Sequence, residues 1–178
     1  MTSEATIDVP RAASVIGAEF SPCRTWRYAL WRHWDWDGHA NCCMFIGLNP
    51  STADETKDDP TIRRCIGFAK ASGFGGIYMM NLYAFRATKP IDMVQAADPW
   101  GPDNMQAFGY FRTRVSRVVA AWGSIYTRWR PNLKWQSTIA KVITEVAQLV
   151  WCLGRTKDGS PRHPLYLKSG SKWEIFQQ

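Results

Sequence analysis

The chain has 178 residues and 46% hydrophobic content, the profile of one globular domain with a full core rather than a disordered segment. Its formal charge of +7 favours an anionic partner, either nucleic acid or a phosphorylated small molecule. No run approaches ~18 apolar residues, so no membrane span is expected.

Residues 1–19 read as an N-terminal arm, small, polar and weakly patterned, without the basic start and apolar block of a secretory signal. Residues 20–178 read as a single α/β domain. From Cys23 to Trp34, Trp26, Tyr28 and Leu30 alternate with Arg27 and Ala29, which predicts a strand. Asp35-Trp36-Asp37-Gly38 supplies a turn. Cys42 to Ile46 follows as an uncharged run that stops at Gly47-Leu48-Asn49-Pro50-Ser51-Thr52, the pattern of a buried parallel strand and its exit loop. The first two strands are expected to pair as an antiparallel hairpin at the sheet edge.

Asp59-Pro60 predicts a helix start, with Ile62, Cys65, Ile66 and Ala69 on its apolar stripe. Ile77 to Leu82 is a second apolar strand carrying Asn81 at its end. Ile91 to Asp98 and Asn104 to Ser116 read as helices, Val118 to Trp122 as a third strand, Leu133 to Gln148 as a helix and Leu149 to Leu153 as a fourth strand. The fold class expected from this alternation is α/β and three-layered. It has a central four-stranded, mainly parallel sheet, helices on both faces and an N-terminal antiparallel edge hairpin.

Right-handed crossovers bring the carboxyl ends of such strands to one rim, where open α/β sheets build ligand sites. Asn49, Asn81, Gly123 and the Arg155–His163 loop are expected there, with Ser124 next to Gly123. Asn49 is either a turn amide or a group that orients a water, since an amide takes up no proton near neutral pH. Asn81 is either a buried amide satisfied by backbone or a reader of a base edge. His163 is either a surface histidine or a donor to a developing anion. Ser51 offers a hydroxyl, the Trp122–Ser124 turn offers backbone donors, and Arg155, Lys157, Arg162, Lys168 and Lys172 suit phosphates or a solvated face. The five cysteines have no CxxC spacing and read as reduced, mostly buried thiols of a cytoplasmic protein. Neither a metal site nor a cofactor is implied, and a monomer is expected.

GLNPSTAD, DPTIRR, NLYAFRAT and PRHPLYL resemble an uncharacterised bacterial and phage family across about residues 20–170. More remotely, Gly47 to Ser51, Asn81, Trp122 to Ser124 and His163-Pro164-Leu165 resemble the spaced motifs of uracil-DNA glycosylases. That resemblance implies the glycosylase fold and hydrolysis of an N-glycosidic bond in DNA or a nucleotide. Asn49 would then place the water, His163 would steady the departing base, Asn81 would select it, and Tyr83, Phe85 or Phe68 would stack on it. Ser51 stands where uracil-specific members carry a bulky aromatic, which implies tolerance of a C5 substituent. Ser is absent after His163-Pro164. A non-catalytic nucleic-acid-binding module, or a hydrolase or transferase of free nucleotides, uses the same residues.

Overall fold

The computed structural model describes residues 15–35, 41–124, 135–146 and 149–177. Strands β1 (Ile16–Phe20), β2 (Arg27–His33) and β3 (Cys42–Gly47) precede helix α1 (Pro60–Ala71) and strand β4 (Gly76–Asn81). Helices α2 (Pro90–Val94) and α3 (Asn104–Arg112) then lead to β5 (Arg117–Ala120), α4 (Trp135–Val146), β6 (Val150–Cys152), a 3-10 turn (Pro164–Tyr166) and β7 (Glu174–Gln177). The apolar runs make the centre of the sheet because they are covered on both sides. Every residue of β3 and of β4 is buried.

Alternation along these strands divides the core in two. Met44, Ile46, Tyr78 and Met80 pack with Phe108 and Phe111 of α3 and Val142 and Ile143 of α4. Cys43, Phe45, Ile77 and Met79 pack with Ile62, Cys65 and Phe68 of α1. The start of α1 follows from its sequence. Pro60 opens the helix, and the Asp59 carboxylate accepts the Ile62 N–H at 2.9 Å.

The expected four-stranded, mainly parallel, three-layer glycosylase-like sheet is not what forms. The sheet has seven strands in the order β1-β2-β4-β3-β5-β6-β7. β3–β4, β3–β5 and β5–β6 are parallel, whereas β1–β2, β2–β4 and β6–β7 are antiparallel, so the sheet is mixed. The expected hairpin between the first two strands is also overturned. β2 turns away from β3 and pairs with β1 and β4, because β4 stands between β2 and β3. β1 crosses the expected arm boundary at residue 19. The Trp36-Asp37-Gly38 turn and the outer ends of the predicted last helix lie outside the described residues.

Candidate functional site

β3 sends one parallel neighbour, β4, to its left and the other, β5, to its right. Strand order reverses there, and the loops leaving the carboxyl ends of β3 and β5 part to leave a crevice. A cleft of about 810 Å³ occupies it, on the face covered by α1. Gly47, Leu48 and Asn49 leave β3 on one wall, Trp122, Gly123 and Ser124 leave β5 on another, and Asp59 and Thr61 close it from the start of α1. Lys157, Arg162 and His163 reach it from the loop after β6.

Of the residues proposed from sequence, Asn49, Ser51, Asn81, Ser124, Lys157, Arg162 and His163 line this cleft. Tyr83, Phe85 and Arg155 do not. Tyr83 packs into the core shared with α3 and α4, and its hydroxyl donates to Thr138 Oγ1 at 3.2 Å. Phe85 pairs across to Trp26 at the far side of the sheet end. Arg155 is drawn to β7, where Nη2 donates to the Ile175 and Phe176 carbonyls and Nε sits 3.5 Å from Glu174.

Asn49 and Asn81 are chemically alike and used in opposite ways. Asn49 donates both amide hydrogens to backbone, to Pro50 O at 2.9 Å and Ala87 O at 2.7 Å. Its orientation is thereby fixed, and its Oδ1 remains as an acceptor. Asn81 is 1% exposed, yet among the described residues neither Oδ1 nor Nδ2 has a partner. Its backbone is held by Asn104, whose amide donates to the Asn81 and Leu82 carbonyls at 3.3 and 3.4 Å. Gly47 makes the space for it, since a Cβ there would stand 2.9 Å from Asn81 Oδ1.

His163 precedes the 3-10 turn, and its Nδ1 accepts the Leu165 N–H at 3.3 Å. The ring proton therefore sits on Nε2. Burial pushes the His163 pKa below its ordinary value, with the Asp59 charge opposing, so the imidazole is a neutral donor at pH 7. The backbone at Gly123, with φ +78°, passes so close that a Cβ would lie 3.2 Å from His163 Cβ. α1 anchors the same turn through Arg64, which donates to the Pro164 and Leu167 carbonyls.

The Ser124 hydroxyl is spent on Asp158, whose carboxyl is pulled down to about 2 by the Ser124 and Thr156 hydroxyls. Arg162 uses Nε on Arg155 O at 2.9 Å and keeps its outer nitrogens for the cleft. Lys157 is an exposed cation on the same wall.

Several members of the site carry no functional signal in the residue pattern, Arg27, Asp59 and Tyr166 among them. The alternation marks Arg27 only as a strand position, Asp59-Pro60 marks only a helix start, and Tyr166 belongs only to a motif. Arg27 and Asp59 are both buried and both face the cleft, while Tyr166 is 83% exposed at its mouth. Asp59 beside Pro60 was the one legible signal, because a capping carboxylate at a sheet rim also faces the rim's ligand. Among the described residues no group of His, Cys, Asp and Glu is arranged to hold a metal ion. The five cysteines are free, and all but Cys23 are buried. No helix of the described residues is long and apolar enough to cross a membrane.

The arrangement offers a donor–acceptor pair on the floor, a neutral imidazole donor, a carboxylate and cations around the edge. No curated protein matches the chain, and no solved structure does. Residues 27–165 match the family described as "Protein of unknown function (DUF1643)", and the chain belongs to that family.

Proposed function

We propose that the cleft takes a nucleobase, within DNA or a nucleotide, and hydrolyses its N-glycosidic bond. The observation that carries this reading is Asn81. A buried amide with both polar atoms unpaired costs stability of order 1–3 kcal/mol per unmet group. A base edge that offers one donor beside one acceptor satisfies both atoms at once. The motif likeness to uracil-DNA glycosylases at Gly47–Ser51, Asn81 and His163-Pro164 supports the reading at the level of residues, apart from any likeness of fold.

In this reaction a water oxygen bonds to C1′ and the C1′–N bond breaks, its electron pair leaving with the base. Asn49 Oδ1 accepts one water hydrogen and so orients the attack. The Asp59 carboxylate takes the water's other proton, which an amide cannot do. His163 Nε2–H donates to the base oxygen on which negative charge develops. Lys157 and Arg162 hold phosphate. A target within a duplex is flipped out, at a few kcal/mol. Ser51 on the cleft wall leaves room beside the base for a C5 substituent, a space worth ~1–3 kcal/mol of discrimination when it is filled.

Release of free base from oligonucleotides carrying uracil, 5-hydroxymethyluracil, hypoxanthine or an alkylated base, detected by mass, tests the proposal. Wild type is expected to release at least one of them, with the 5-substituted uracil accepted, and Asn81→Leu is expected to release none. No release of any base by the folded wild type overturns the catalytic reading.

A further inference from the structure

We infer that the buried end of the cleft is an oxyanion subsite built on Arg27, so that the ligand carries a phosphate monoester or a carboxylate as well as a base edge. In joining the two groups on one ligand, the inference rests on the base-reading role of Asn81.

Arg27 reaches the cleft because of an irregularity in strand pairing. Glu19 pairs with Ala29 and Phe20 with Arg27, so Tyr28 is skipped. Such a bulge shifts the alternation by one residue and re-aims the side chains before it. Ala29 and Trp31 face α3 and α4, and Tyr28 joins them there. Arg27 turns to the other face, where its Nη1 donates to Ala53 O at 2.9 Å. That face holds Leu30, Ala53 and Ile62. Regular pairing would have sent Arg27 away from the cleft.

Arg27 is 2% exposed and its guanidinium is only partly satisfied. Among the described residues neither Nε nor Nη2 has a hydrogen-bond partner. These two nitrogens form one edge of the guanidinium, the fork that meets two oxygens of one anion in parallel. Among the described residues no carboxylate lies within ion-pair distance of Arg27. Asp59 acts on it from further off, and Arg86 and Arg32 act against its charge. Burial lowers its pKa to about 10, which leaves it a cation at neutral pH. A buried cation without a paired counterion is expensive to keep, and this one faces open space lined by polar groups.

The position defines the kind of ligand. Arg27 N donates to Ala84 O at 2.9 Å just past β4, β2 and β4 are neighbours in the sheet, and Arg27 and Asn81 line the same cleft. Neighbouring strands lie about 4.8 Å apart, so anion and base edge are close enough to belong to one molecule. Lys157 and Arg162 serve phosphates at the open side. A closed-end guanidinium suits a terminal group, supplied by a nucleotide's 5′-phosphate or by a carboxylate on the base.

The test uses the full chain and four probes: inorganic phosphate, 2′-deoxyuridine, its 5′-monophosphate and 5-carboxy-2′-deoxyuridine. Calorimetry at fixed salt is expected to show at least ~10-fold tighter binding of one charged nucleoside compound than of 2′-deoxyuridine. Which compound is preferred identifies the source of the anion. Arg27→Gln is expected to bring the preferred compound down to the affinity of 2′-deoxyuridine. The wild type gives a readout independent of how that variant folds. Its Arg27 Nε–H resonance, assigned by its loss in Arg27→Lys, is expected to move when a charged probe is added. A resonance unmoved by every charged probe, or a charge preference that survives in Arg27→Gln, overturns the subsite. Nucleoside binding with no charge preference overturns the subsite and leaves the base reading standing. A phosphate-induced shift with no nucleoside binding supports the subsite and overturns the base reading.

Discussion

Asn81 illustrates a cost that only a ligand relieves. Its two amide atoms are buried without partners among the described residues, at the end of a fully buried strand. Replacing it by leucine, of similar volume, removes both unmet groups and adds apolar contact with neighbours such as Met79. We expect Asn81→Leu to unfold about 1–2 kcal/mol less readily than wild type, with an unchanged denaturant slope, while losing base release. A variant less stable than wild type would mean that the amide is satisfied in the free protein, and the base-reading role would lose its ground. Asn49 gives the contrast. Its amide is used by Pro50 and Ala87, so a carboxylate in its place would face two carbonyl oxygens. The sequence shows two asparagines at strand ends, and nothing local separates the one that is bonded from the one that is not. Which carbonyls come within reach is decided by the loop at Ala87, 38 residues away.

At the scale of elements, α1 joins stability to chemistry through one side chain. Asp59 caps the helix through the Ile62 N–H, and in the proposed reaction it takes the water's proton. The two roles separate by substitution. Asp59→Ala removes the cap and is expected to cost about 1 kcal/mol. Asp59→Asn keeps an acceptor for the Ile62 N–H, so it is expected to stay within about 0.5 kcal/mol of wild type while base release falls ~10²–10⁴-fold. Full activity in Asp59→Asn would reduce Asp59 to a cap. The Asp-Pro start of this helix was legible because capping chemistry is local. The apolar runs of β3, β4, β5 and β6 were legible for the same reason, since burial on both faces excludes charge. The partner of β2 was not legible. Alternation marks a strand but carries no record of its neighbour, and β4 takes the place that a hairpin would have given to β3. Arg27 was hidden by the same gap, because its direction depends on a skipped pairing between β1 and β2. β7 was missed because Glu174 and Ile175 are exposed and its four residues leave no apolar run.

Across the whole molecule, buried titratable groups set how stability responds to acid. His33, 5% exposed at the end of β2, is pushed down by burial to about 4. Above pH 6.5 it is neutral folded and unfolded. As pH falls below 6.5 the unfolded chain takes a proton that the folded chain refuses, so stability is lost down to pH 4. The full loss is about 3 kcal/mol, more than half of it reached by pH 5. His163, also lowered, adds in the same direction. Glu19 opposes them. Burial, then the nearby Asp103 charge, raises its carboxyl to about 7. Between pH 7 and 4.5 the folded chain holds a proton that the unfolded chain has lost, so stability is gained as pH falls. The two windows overlap, and wild type is expected to change little in melting temperature from pH 6.5 to 5. Glu19→Gln has no such proton to gain and exposes the histidine loss. Its melting temperature is expected to fall by roughly 4–8 °C over that interval, given about 2–4 °C per kcal/mol for a domain of this size. Melting curves of the two proteins at half-unit steps make the comparison. Parallel profiles would show that Glu19 is ionised in the folded protein and that its burial does not govern its charge.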